Sequence, residues 1–156
     1  MRTHELKTGR TFGVNFDHGE DFLPTLARFC KDNGIRQGYV PMFLAAFAET
    51  EIAGTCQRVA DPEAPVRLPV HLEKVEAMGC GTFSYDPEGD RIVPHVHVTV
   101  GLKQQAALAY SSHLMSATVQ YLTEMLVVEV LAPGMRRPVH TELWDVPLLT
   151  FETIED

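Results

Sequence analysis

The sequence predicts an α+β fold: about six to eight mainly antiparallel strands with one main helix packed on the sheet. Three observations carry this. Most apolar runs alternate with a period of two. One stretch alone, residues 21–34, places apolar residues at helical spacing. Tight turn signals separate consecutive runs, which favours antiparallel neighbours.

Taken in order, residues 10–17 alternate Phe12, Val14 and Phe16 against polar or small neighbours, the pattern of a half-buried strand. His18-Gly19-Glu20-Asp21 follows as a turn and helix start, with Asp21 placed to cap the next amides and Pro24 tolerable in a first turn. Phe22, Leu26 and Phe29 share one helical face, so the helix covers something apolar, most simply the sheet. Asn33-Gly34 ends it. Residues 36–53 form an alanine-rich strand, and Asp61-Pro62-Glu63-Ala64-Pro65 a surface loop. A strand over 70–85 holds Gly79 and Gly81, which signals a bulge or a close backbone approach. Asp86 to Asp90 is a turn, and residues 92–100 the next strand. After Lys103-Gln104-Gln105 come a run over 109–115 and a β-rich run over 119–131. Pro133-Gly134 turns the chain, and a last strand runs from Leu143 to Phe151.

The chain has 156 residues, the size of one domain, and no repeat or linker divides it, so residues 1–156 read as a single unit. No apolar run approaches the roughly 20 residues of a membrane span, and the start lacks a signal-peptide core. The expectation is a soluble, cytoplasmic protein with no membrane partner. Cys30, Cys56 and Cys80 are odd in number and widely spaced, so they read as small buried hydrophobes of a reducing compartment. A formal net charge of −8 lowers the odds of direct phosphate-backbone binding. The one compact basic pair, Arg136-Arg137, reads as a solvated loop.

The chemistry concentrates in residues 92–101, IVPHVHVTVG. On a strand, residues i and i+2 share a face. His95, His97 and Thr99 therefore share one face, and Val96, Val98 and Val100 the other, which reads as core. Two imidazoles about 7 Å apart at Cα can converge on one ion, and an open zinc site wants a third protein ligand. The turn supplies one. In a hairpin, paired residue numbers add to a constant. A loop centred on Gln104 sets His113 opposite His95; one centred on Gln105 sets it opposite His97. Both put His113 on the same face. His4, His18, His71 and His140 read as surface histidines.

The segments HGEDF, HLEKVEAMGCGTF, PHVHVTV and SSHLMSATV, in this order, resemble the PPC (plants and prokaryotes conserved) domain. It is joined to AT-hooks in plant nuclear DNA-binding proteins and stands alone in bacterial proteins labelled as DNA-binding candidates. The likeness spans residues 8–132. It implies a strongly curved sheet, a homotrimer, and a metal, zinc or another divalent transition metal, held by His95, His97 and His113. A family glutamate matches Glu73. Three departures stand out. Ser111-Ser112-His113-Leu114 replaces Gly-Gly-His-Leu, His71-Leu72-Glu73 replaces Arg-Phe-Glu, and no Arg-Gly-Arg-Pro hook exists in the chain. The element that enters the minor groove in the plant proteins is therefore missing.

The family reading is a regulatory protein associated with DNA or with DNA-binding proteins. The alternative is a zinc-dependent enzyme, or a binder of a small molecule at the metal, since three neutral imidazoles leave an ion its full charge and lower the pKa of bound water. Glu73, Glu124 and Glu129 are then candidates for a base or a histidine orienter, and Thr99 or Ser111 for holding water. A third reading is a purely structural ion. No nucleophile–base pair or phosphate loop is visible, so no catalytic residue is assigned.

Overall fold

The computed structural model describes residues 1–54, 68–105, 108–143 and 145–152. Among them are β1 (Lys7–Val14), α1 (Phe22–Asp32), β2 (Gly38–Ala53), β3 (Pro69–Asp86), β4 (Arg91–Gly101) and β5 (Ala109–Ala132). The short pieces β6 (Gly134–Arg136), β7 (Val139–His140), β8 (Val146–Pro147) and β9 (Thr150–Glu152) follow. The loop expected over 61–65 and Cys56 lie outside the described residues.

The main sheet is antiparallel in the order β1-β5-β2-β3-β4, and β4 also pairs with β5. Strands β5, β2, β3 and β4 thus close into a four-strand barrel, with β1 added outside the ring. The expectation of a mainly antiparallel sheet with one helix holds; the sheet is closed as well as curved. Closure depends on β5. One edge of β5 pairs with β2; the other pairs with β4 over residues 109–113 and with β1 over residues 125–132. Helix α1 packs on β4 and β5, and Phe29 meets Phe12 of β1 edge-on at 5.4 Å. It covers the seam where β5 passes from one partner to the other.

The two runs expected at 109–115 and 119–131 are one strand. Its polar interval is absorbed by register shifts. Tyr121 and Leu122 fall between Gln120, opposite Ala46, and Thr123, opposite Ala45. Tyr121 takes φ 68° there and both side chains stay exposed.

The core is aromatic. Phe16, Phe22, Phe43, Phe47 and Phe83 are buried with Leu26, Leu114, Val119 and Val127. Phe22 touches Phe16, Phe43 and Phe47, so α1 seats one ring against β2 and the segment that follows β1. Burial of each such ring contributes about 1.5–3 kcal/mol. The helix ends at Gly34 (φ 66°), whose amide donates to Lys31 O, as the sequence indicated. Asp21 does occupy the N-cap position, but its side chain makes no capping bond. A cap accepts from the second or third helical amide, and here the third residue is Pro24, which has none.

The C-terminal region departs most from expectation. The strand expected from Leu143 to Phe151 is two short pieces, β8 and β9, preceded by a 3-10 turn at Thr141–Leu143. Asp145 at φ 59° and Pro147 are incompatible with a long regular strand. Piece β9 pairs with β6, and β8 with β7.

Candidate metal centre

On β4, Val96, Val98 and Val100 point into the barrel and are buried, while His97 is exposed and His95 and Thr99 are half-buried on the outer wall. The alternation read from sequence is the alternation observed. Beside β4, strand β3 carries two glycines. Gly81 lies opposite Val96 and Gly79 opposite Val98. A Cβ at Gly79 would sit 2.4 Å from the His97 carbonyl oxygen and 2.5 Å from Cζ of Phe43; at Gly81 it would sit 2.6 Å from the His95 carbonyl oxygen. These glycines mark both a close approach and a bulge: towards β4 they allow a close approach in a register unshifted from Ala77↔Val100 to Asp86↔Arg91, and towards β2 they flank a bulge, since Val40 lies opposite Gly81 and Phe43 opposite Gly79.

Across the next pairing, His97 faces His113 and Thr99 faces Ser111. This is the register centred on Gln105. The three imidazoles gather on one face, each offering a ring nitrogen within 4.8 Å of the others. Nε2 of His95 and Nε2 of His97 are 3.2 Å apart. Two nitrogens bound tetrahedrally to one zinc at about 2.0–2.1 Å would stand about 3.3 Å apart, so this pair already has the spacing of co-ligands. The His113 ring lies 4.7 Å from that of His95 and 5.6 Å from that of His97, edge-on to both. Imidazole donors suit zinc and its transition-metal neighbours better than magnesium or calcium. The donor set therefore fits the implied ion.

Of the other expected groups, Thr99 and Ser111 lie one rung from His97 and His113, and the Thr99 hydroxyl donates to Ser111 Oγ at 2.9 Å. Ser112 faces the other way and its hydroxyl donates to the Ala53 carbonyl. Three carboxylates are elsewhere. Glu73 is seven residues along β3 from Cys80, the residue opposite His97, or roughly 23 Å of strand; it faces Glu49 and lies 3.7 Å from His71. Glu124 is exposed opposite Leu44. Glu129 is paired with Arg10 at 2.8 Å, and that bond holds its carboxyl below the usual range. The spacing of carboxylates along a strand carries no sign of how far the strand runs from the site.

Arg137 is the group the sequence reading missed. It is not in a solvated loop. Its Nη1 lies 2.8 Å from Nδ1 of His95, and its Nη2 donates to Thr82 Oγ1. A guanidinium can only donate, so Nδ1 accepts and the proton of a neutral His95 sits on Nε2; ligation of a metal through Nε2 would move that proton to Nδ1 and release Arg137. Thr82 sits opposite His95, and Cys80 opposite His97, which puts both on the imidazole face. Cys80 is accordingly exposed, against the expectation of burial, while Cys30 is buried in the core. Desolvation pulls the Arg137 guanidinium below its ordinary value. The remaining histidines stand apart. His4, His18 and His71 are exposed as expected, whereas His140 is partly buried, with Nδ1 2.9 Å from Glu142.

The model of the Plants and Prokaryotes Conserved (PCC) domain matches residues 3–131. No curated protein matches the chain. Among solved structures, a metal-containing protein of Archaeoglobus fulgidus is 20% identical with a TM-score of 0.79, covering 96% of this chain and 99% of that one. A plant- and prokaryote-conserved protein of Pyrococcus horikoshii is 20% identical with a TM-score of 0.78, covering 99% of each. A candidate DNA-binding protein of Bacteroides thetaiotaomicron is 20% identical with a TM-score of 0.71, covering 94% and 96%. At these identities the likeness is one of fold.

Proposed function

The chain belongs to the Plants and Prokaryotes Conserved domain family, and from that premise we propose that it is a homotrimeric, metal-binding assembly module whose working part is the His95–His97–His113 centre. The observation that carries this is the convergence of three ring nitrogens within 4.8 Å on one barrel face. The metal-containing archaeal neighbour is consistent with it. Zinc, or another divalent transition metal, would keep its full charge there, acting as a Lewis acid that polarises a bound oxygen.

The part played in DNA regulation is through protein partners. The chain carries a net charge of −8, and Arg10, Arg28, Arg91 and Arg136 each meet a carboxylate, which disfavours direct binding to a duplex. Assembly has an apolar surface to use. Leu44, Met78 and Leu108 are 45%, 59% and 56% exposed, and they line one groove with Thr99 beside the imidazoles.

Elemental analysis of purified protein beside His97→Ala tests the metal. One ion per chain in the wild type and none in the variant supports the reading; equal content removes it. Light scattering tests assembly, with three times 17.4 kDa expected. Nanomolar, salt-dependent binding of duplex DNA by this chain alone at physiological ionic strength would overturn the indirect role.

A second reading, a metal-dependent binder or enzyme for a small molecule, is favoured by one feature. Among the described residues no carboxylate or thiol joins the three imidazoles, so a tetrahedral ion would keep a position for an exogenous ligand.

A further inference from the structure

Arg137 belongs to no part of that account so far. It lies just beyond β6, 42 residues from His95 in sequence, yet its side chain returns to the outer barrel wall. Its partners are an imidazole and a hydroxyl, and its Nε is buried without a hydrogen-bond partner. The same residue forms part of a cleft of about 650 Å³ between the turn after β3 and the C-terminal segment. Two other arginines line that cleft, and both are neutralised: Arg91 by Asp86 at 3.1 Å and Arg136 by Glu152 at 3.6 Å. Among the described residues no carboxylate pairs with Arg137. A half-buried cation without a counter-charge is costly, and a guanidinium stays charged at any ordinary pH.

We propose that Arg137 recognises a small carboxylate-bearing ligand, whose negative charge is shared between its guanidinium and the metal on His95, His97 and His113. This rests on the metal reading above. The electrostatics are simple. Three neutral imidazoles leave a divalent ion at 2+, Arg137 adds another positive charge within one imidazole ring of it, and among the described residues no carboxylate pairs with Arg137 or joins the three imidazoles. In a chain of net charge −8 this is a local reversal of sign. A carboxylate answers both demands, since it ligates zinc through oxygen and accepts two parallel bonds from a guanidinium. The contact to His95 is the position of Arg137 in the metal-free protein: an ion on Nε2 would leave the proton of His95 on Nδ1, and the flexible Arg137 stem would then be released to meet the ligand.

The test uses full-length protein loaded with cobalt(II), with acetate as the probe and acetamide as its uncharged analogue. Metal content is measured first. Acetate is expected to shift the visible cobalt bands, and acetamide to leave them unchanged. Arg137→Gln is expected to raise the half-saturating acetate concentration about tenfold, the loss of one charge-assisted bond, with one cobalt per chain retained. Arg137→Lys, which keeps the charge but not the fork, should fall between. An Arg137→Gln protein that responds to acetate as the wild type does overturns the proposal. So does one that loses its cobalt, because Arg137 would then serve to hold the imidazoles. A wild-type protein that takes up no metal overturns the metal reading itself; cobalt uptake without any response to acetate overturns the carboxylate proposal alone.

Discussion

His97 on β4 and His113 on β5 are direct cross-strand partners, and Thr99 and Ser111 repeat the relationship one rung on. The pairing is unshifted from His97↔His113 to Gly101↔Ala109, so two of the three proposed ligands are fixed by backbone hydrogen bonds rather than by side-chain packing alone. A centre built this way should be present before any metal arrives.

His97→Ala removes an exposed side chain, so it should change the stability of the metal-free protein by no more than about 0.5 kcal/mol. Zinc at 100 times its dissociation constant should stabilise the wild type by about 2.7 kcal/mol and the variant not at all. Urea unfolding with and without zinc measures both; equal stabilisation of the two proteins would refute the assignment.

Gly81→Val would put a branched Cβ against the His95 carbonyl at 2.6 Å and Val96 Cγ2 at 2.9 Å. The strand must move, at a cost of about 1–3 kcal/mol, and the His95–His97 spacing should be lost with it. Denaturant midpoint and metal content should therefore fall together. A variant with unchanged stability would show that β3 has room to spare.

Arg10 holds the Glu129 carboxyl below its ordinary value of 4.5 by hydrogen bonding. A depressed carboxyl pKa stabilises the fold above the unfolded-state value, and that contribution disappears as pH falls through the folded-state value. Glu129→Gln should thus flatten the loss of stability on acidification below about pH 4.5 while lowering stability at pH 7. Chemical denaturation across pH 3–7 gives the slopes; parallel slopes for both proteins would contradict the linkage.

Burial pushes the Cys30 thiol up to about 12, whereas Cys80 stands exposed beside the imidazoles. In a Cys56→Ala background, one thiol should react with a disulfide reagent in the native protein and the second only after unfolding. Labelling followed by peptide mapping should place the fast reaction at Cys80. Rapid modification of Cys30 would show that the helix opens readily.

The imidazole face was legible because its signals are local. Alternation over residues 92–100 sorts valines from histidines, and a short hairpin makes parity between strands a matter of counting. The barrel closure was not, because it depends on β5 being one strand. Its register shifts at Met115 and at Tyr121–Leu122 look in sequence like a break between two strands. Glu73 and Glu124 were misplaced for a related reason: residue type suggests a role, but only pairing fixes the distance. Arg137 was hidden because its contact spans 42 residues and a turn-rich segment with no periodicity. Its one sequence signal was an arginine pair beside a Pro-Gly turn in an acidic chain.

Strand β5 also dictates when the fold can form. Lys7 pairs with Ala132, and Val14 with Met125, so the first strand of a nascent chain has no partner until more than a hundred further residues have been made. The ring itself cannot shut before β5 emerges, since that strand borders β1, β2 and β4. Such distant pairings belong to slow folders, in the millisecond-to-second range. During synthesis, the apolar faces of β2, β3 and β4 must wait exposed for this late strand, the interval in which a chaperone would be most useful.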